Sequence, residues 1–178
     1  DRPGLLQELA GVRDSKLLTP QQREAWYPRI GACALDYAVG WASAREIDEQ
    51  GIAPATRLAM ARALHSLSSA PDYLVIDALR LGDIPIPQHA TPKADRLHLS
   101  VSAASIIAKV HRDHWMADLN ERLPGYGFAR HKGYGTASHL AALRELGASA
   151  EHRMSFGPLK LLIAGLLADP AKEPEGHD

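Results

Sequence analysis

The stretch from Ser100 to Arg122 constrains the fold more than any other part of the sequence. It is the longest helix the pattern supports, and its first half, VSAASIIAKV, is apolar and small on nearly every side. A helix that is apolar all round has no face to offer water, so it must be packed tightly against several neighbours. The rest of the chain has to supply them.

Other segments read as follows. Thr19-Pro20 starts a helix, with Thr19 as N-cap and Pro20 in its first turn. It should run to about Tyr27, where Pro28 ends or kinks it. Ala32–Ala42 (ACALDYAVGWA) is apolar and partly alternating, which predicts a strand. Ser43-Ala44-Arg45-Glu46 has capping-box spacing and opens a short helix. Ala53–Leu67 is strongly helical, with a broad apolar face. Tyr73–Ile76 predicts a buried strand ending on Asp77, and the Pro-rich piece from Pro85 to Pro92 holds at best a short edge strand. After the long helix comes a Gly- and aromatic-rich loop, Leu123–Thr136. A helix over Ala137–Leu146 follows, closed by Gly147, and then a last helix within 157–168. Mixed strands and helices predict an α/β fold with helices packed on a sheet. Two convincing strands and one weak one make a thin sheet for so many helices.

The 178 residues suit a single domain, read as 1–168, with a disordered tail at 169–178. No run approaches the roughly 17 to 25 apolar residues of a membrane helix. The start Asp1-Arg2-Pro3-Gly4 carries no apolar signal core, and a soluble, cytoplasmic monomer is expected. The single cysteine, Cys33, excludes an intramolecular disulfide and a cysteine-built zinc site. Net charge is −1, but residues 93–132 hold seven basic side chains against four acidic ones, with four histidines besides. A basic middle in a near-neutral protein suits phosphate, or is an ordinary solvated face.

Asp77 follows a buried strand directly, and ligands of open α/β sheets bind outside the carboxyl ends of strands. The other reading is a turn or capping Asp. Asp95, in Lys93-Ala94-Asp95, is a second candidate or else a cap. Two carboxylates brought together from separate segments suit Mg²⁺ or Mn²⁺, hard ions that prefer oxygen. In the run from Gly125 to Thr136, Arg130, His131 and Lys132 offer phosphate contacts. Tyr126, Phe128 and Tyr134 offer flat faces, and a structural loop pinned by aromatics is the alternative. Ser102, Ser105 and Lys109 share a helix face, for close packing or for phosphate, to which Lys16 could add. His111 and His114 read as surface groups.

Together these segments resemble ribonuclease HII. Asp14-Ser15-Lys16-Leu17-Leu18-Thr19, Glu46-Ile47-Asp48 with Gly51-Ile52-Ala53, Ile76-Asp77 and Lys93-Ala94-Asp95 stand in the family's order. So do Ser102–Val110 with Arg112-Asp113, Gly125-Tyr126-Gly127-Phe128, His131–Thr136 and His152-Arg153-Met154-Ser155-Phe156. The likeness spans roughly residues 12 to 158.

The resemblance implies an RNase H-like fold, a mixed sheet flanked by helices, and a metal site of four acids binding Mn²⁺ or Mg²⁺. Asp77 falls at the third acid and Asp95 at the fourth, both catalytic and metal-binding. Tyr134 falls at the tyrosine that helps recognise the ribonucleotide, and Lys16, Ser102, Ser105, Lys109 and Lys132 fall in motifs near the phosphates. Asp113 fits a structural acid. The implied substrates are RNA–DNA hybrids and DNA duplexes containing a ribonucleotide, met in DNA repair. The implied reaction is two-metal hydrolysis leaving a 3′-hydroxyl and a 5′-phosphate.

The family opens with a strand carrying the first two acids, DE(V/A)GRG, and residues 1–13 (DRPGLLQELAGVR) do not resemble it. The expectation is therefore an N-terminally truncated member lacking the family's first strands and inactive alone. A non-catalytic binder of RNA–DNA hybrids or junctions is the alternative. An unrelated α/β metal hydrolase is a third reading.

Overall fold

The computed structural model describes residues 4–165; the expected tail at 169–178 lies outside them. The described residues form two compact units. The first holds residues up to Ala42 together with Ala53–Trp115, and the second holds Ser43–Ile52 together with the residues from Met116 onward.

The first unit begins with a single turn, α1 (Leu5–Glu8), and a 3₁₀ turn over Ser15–Leu17. Helix α2 (Pro20–Cys33) starts where expected, its Thr19–Gln22 capping box complete. It does not stop at Pro28. That proline is on the exposed side, where a helix bends most easily, while Ile30 is buried and Trp26 and Tyr27 pack against the core. Packing overrides the break.

The strand expected over Ala32–Ala42 does not form. Cys33 completes α2, and the chain then runs without a ladder partner. Its apolar residues meet helices instead. Val39 packs on the core, and Gly40 lies so close to α4 (Ile52–His65) that an added Cβ would sit 1.9 Å from the Ala59 carbonyl oxygen. Only glycine fits there.

Strand β1 (Leu74–Asp77) pairs in parallel with β2 (Gln88–Thr91), Asp77 standing opposite Thr91. The weak strand signal in the Pro-rich piece is thus a real partner. Gln88 holds the connection between them: its amide donates to the carbonyls of Leu81 and Ile84 and accepts from the Leu81 N–H. A short helix, α5 (Ala94–Leu97), leads into the long helix α6 (Leu99–Arg122). The apolar first half of α6 is buried on one side, while Ala104 and Ala108 are exposed, so it is not packed all round as its sequence predicts. Ala103, Ile106, Ile107 and Val110 are buried with Leu9, Leu18 and Ile30.

The second unit contains α3 (Ala44–Gln50) with its complete Ser43–Glu46 capping box, the last turns of α6, and α7 (Phe128–His131). It also contains α8 (Ala137–Leu146) and α9 (Gly157–Ile163). Its core joins Met116, Leu119, Tyr126, Phe128, Ala142, Leu143 and Leu159. Apart from the missing strand over Ala32–Ala42 and the continuation of α2 through Pro28, the main elements follow the sequence signals.

Candidate functional site

In the first unit Asp77 ends β1 and its Oδ1 accepts the Ala94 N–H at 3.2 Å. This hydrogen bond binds the carboxyl end of the strand to the start of α5, whose second residue is Asp95. The Asp77 carboxyl thereby lies against the residue that precedes Asp95, eighteen positions further along the sequence. Asp95 is buried, 7% exposed, and the Ser102 hydroxyl donates to its carbonyl, fixing α5 on α6. The Lys16 ammonium stands 4.0 Å from Asp95 Oδ2. Asp77 and Asp95 supply hard oxygen donors of the kind a divalent cation takes, together with water and substrate phosphate. No group of three His, Cys, Asp or Glu side chains suited to a metal forms among the described residues.

The backbone around both acids is constrained. Ala78, directly after Asp77, and Lys93, two before Asp95, adopt φ of 62° in the left-handed region. Outside glycine that conformation costs about 1–2 kcal/mol per residue, and it concentrates where geometry is over-determined. A cleft of about 350 Å³ opens beside Asp95, its polar lining formed by Arg13, Asp14, Arg96, His98 and Ser102. Asp14 is buried, accepts the Lys16 N–H and faces Arg96 at 3.8 Å, so it shapes the turn that presents Lys16.

Further along α6, Ser105 donates to the Ser102 carbonyl at 2.8 Å, and Lys109 pairs with Asp113. Asp113 also faces Arg23 at 3.5 Å. The buried Arg23 guanidinium donates to the Ser15 and Leu18 carbonyls at 2.9 and 2.6 Å. One arginine thus ties the Lys16 turn to the long helix. His111 and His114 bond to the Tyr27 hydroxyl and to Glu24.

Lys132 and Tyr134 lie in the second unit. Lys132 closes α7 with φ 51°, the third left-handed residue outside glycine among the described residues. The Tyr134 ring is 61% exposed. Its backbone is gripped: the N–H donates to the His131 carbonyl, and the carbonyl accepts from Thr136 N–H and lies 3.0 Å from His139 Nδ1. Phe128 is buried and stacks on Tyr126 at 5.3 Å. Thr136 caps α8.

The family described as Ribonuclease HII matches residues 2–158. The chain belongs to the ribonuclease HII family. It is 50% identical over 155 residues to a ribonuclease HII of Geobacillus kaustophilus, covering 87% of this chain and 59% of that protein. A Dehalococcoides mccartyi ribonuclease HII is 48% identical over 155 residues, covering 87% and 73%. The chain therefore spans under two thirds of the first relative's length. Among solved structures, ribonuclease H2 of Pyrococcus horikoshii superposes with TM-score 0.74 at 25% identity, over 90% of this chain and 85% of that one. Bst-RNase HIII, crystallised with Mn²⁺, gives TM-score 0.64 at 22% identity over 93% and 62%, a likeness of fold. The RNase H-like α/β reading stands.

Two ribonuclease HII motifs that the sequence left without a role turn out to be one joint. Asp48 of the Glu-Ile-Asp segment accepts the N–H groups of Met154 and Ser155 at 2.7 and 2.8 Å. Desolvation works against its charge, yet these hydrogen bonds, with Arg153 nearby, hold its carboxyl below the ordinary range. The only sequence signal was that both segments resemble family motifs, more than a hundred residues apart. A second constellation joins the buried rings of His131, His139 and His152, which no sequence signal linked, and with both ring nitrogens engaged His131 is not the phosphate contact the sequence suggested.

Proposed function

We propose that the protein is an endonuclease that hydrolyses the RNA strand of RNA–DNA hybrids and cuts at single ribonucleotides in duplex DNA. The observation that supports this is the Asp77–Ala94 hydrogen bond, which holds the carboxyl end of β1 against the residue before Asp95. Asp77 and Asp95 would hold Mn²⁺ or Mg²⁺, in a two-metal arrangement completed by further ligands. Bound there, a divalent ion supplies Lewis-acid stabilisation of the phosphoryl oxygens and a more acidic water. Lys16, beside Asp95, would meet phosphate. Lys109 and Lys132 would add positive charge along the duplex, and the Ser102 and Ser105 hydroxyls would order the backbone facing it. Tyr134, with its exposed ring on a gripped backbone, would read the ribose, whose 2′-hydroxyl distinguishes RNA from DNA. The setting would be DNA repair in the cytoplasm, by a monomer. No helix of the described residues is long and apolar enough to cross a membrane.

The test uses the full-length protein and a DNA duplex holding one ribonucleotide. Cleavage leaving 3′-hydroxyl and 5′-phosphate ends, abolished by EDTA and restored by Mn²⁺ or Mg²⁺, is the expected result. Tight, ribonucleotide-selective binding without cleavage under any divalent metal would instead establish the hybrid binder. Residues 1–178 alone should cleave at most weakly, since Asp77 and Asp95 are two of the four acids the resemblance implies. Full activity of that stretch would overturn this part of the reading.

A further inference from the structure

His139 and His152 are buried, 2% and 8% exposed, and their Nε2 atoms face each other at 3.1 Å. At one end of the pair, His139 Nδ1 lies 3.0 Å from the Tyr134 carbonyl. At the other, His152 Nδ1 lies 3.0 Å from the Ser149 N–H and 2.8 Å from its hydroxyl. The backbone fixes where the protons are. A carbonyl can only accept, so His139 carries its proton on Nδ1; a backbone N–H can only donate, so His152 Nδ1 is bare. For neutral rings this leaves His139 Nε2 bare and His152 Nε2 protonated, which is what their mutual hydrogen bond needs. The chain runs one way: Ser149 N–H to His152, His152 to His139, His139 to Tyr134. His131 has the same kind of assignment. Its Nε2 donates to the Tyr126 carbonyl at 2.6 Å and its Nδ1 accepts the Gly133 N–H at 3.2 Å.

We propose that His139 and His152 are positioning residues that act through this one-way chain to fix the Tyr134 backbone, and with it the ring that reads the ribose. The proposal rests on the assignment of Tyr134 given above. With its ring in solvent, Tyr134 takes its direction from its backbone, so the carbonyl's partner matters. Charging His139 would set N–H against N–H at the centre of the chain, and charging His152 would do so at its Ser149 end. The titratable groups facing the pair are His131, stacked on His139 at 4.3 Å, and Tyr126, whose ring is 4.8 Å from His152 while its hydroxyl donates to the Gly147 carbonyl. Glu151 and Arg153 flank His152. Glu151 is exposed, Arg153 is turned over the Phe156 ring at 5.2 Å, and Lys160 on α9 is exposed. Burial first, and the neighbouring imidazoles after it, push both histidines below their ordinary value of 6.5.

Imidazole ¹⁵N spectra of the full-length protein at about pH 8, where histidine is ordinarily neutral, test the chain directly. Expected is the Nδ1–H tautomer for His139 and the Nε2–H tautomer for His152. The opposite tautomer at His139, or a charged ring, overturns the proposal without touching the Tyr134 assignment. Binding to a duplex with one ribonucleotide, relative to the all-DNA duplex, tests the consequence. His139→Phe keeps the ring shape but loses the donor and should reduce that preference roughly tenfold, the effect of one hydrogen bond. His139→Asn, whose amide can place a donor near the Nδ1 position, should restore most of it. In the wild type the preference should hold through pH 6.5 and fall only at lower pH, since both rings are held below that ordinary value. An unchanged preference in His139→Phe, or an equal loss on both duplexes, overturns the proposal. Tyr134→Ala is the control: if it keeps the preference, the Tyr134 assignment fails and takes this proposal with it, whatever the tautomers.

Discussion

The two units hold their buried polar groups in opposite ways. The first uses charge: Arg23 and Lys109 face Asp113, Lys16 faces Asp95, and Arg96 faces Asp14. The second packs three imidazoles among Tyr126 and Phe128 and satisfies them with backbone groups and one another. Charged networks set carboxylates opposite cationic side chains. Neutral ring networks define direction, because each nitrogen either has a proton or lacks one. The proposed site for metal and phosphate falls with the first kind, and the proposed mount for a recognition ring falls with the second.

The sharpest way to break this contrast is at Asp77. Asp77→Asn keeps an oxygen to accept the Ala94 N–H, so the fold should survive while the charge is lost. Cleavage by the full-length protein should fall by about a thousandfold or more, the several kcal/mol a metal contributes, with duplex binding retained. Turnover within a few-fold of wild type would remove Asp77 from the site. Next in size is Asp113→Ala, which leaves the buried Arg23 guanidinium facing no carboxylate there. Denaturant unfolding should report a loss of about 3 kcal/mol, and a loss well under one would make that network ornamental.

In the second unit Asp48→Ala would strip two backbone N–H groups of their acceptor, for a loss of about 2 kcal/mol. Acid should act on this unit in two stages. His139 and His152 have lowered values, so their neutral forms stabilise the fold fully above 6.5, and this is lost as pH falls below it. Asp48, held below its ordinary 3.8, gives up its contribution only at still lower pH. Hydrogen exchange of the Tyr134–Thr136 amides across pH 5 to 8, roughly the histidine range, should show the first stage; flat protection would contradict it. The smallest effect is Ala78→Gly. Glycine suits φ 62°, so stability should rise by up to about 1 kcal/mol, and a decrease would mean the Ala78 methyl group makes a contact that outweighs the strain.

The local signals were legible wherever a residue's role depends on its own neighbours in sequence. Caps at Thr19 and Ser43, the stop at Gly147 and the strand ending on Asp77 needed only the chain beside them. The errors fell where a distant partner decides. Pro28 fails to end α2 because Ile30 is buried in the core, and the alternation of 32–42 serves packing on helices because Gly40 lies against the α4 backbone.

The sequence by itself determined the family and the α/β class and named Asp77 and Asp95 as candidates, since motif order and the placement of Asp77 at a strand end are properties of the chain alone. Only the tertiary structure decided that Asp77 reaches Ala94, that Asp48 holds the Met154–Ser155 turn, and that three histidines from α7, α8 and the loop before α9 form one buried cluster. Hydrogen bonds form between atoms near in space, and no spacing along the chain announces which distant backbone group a side chain will meet.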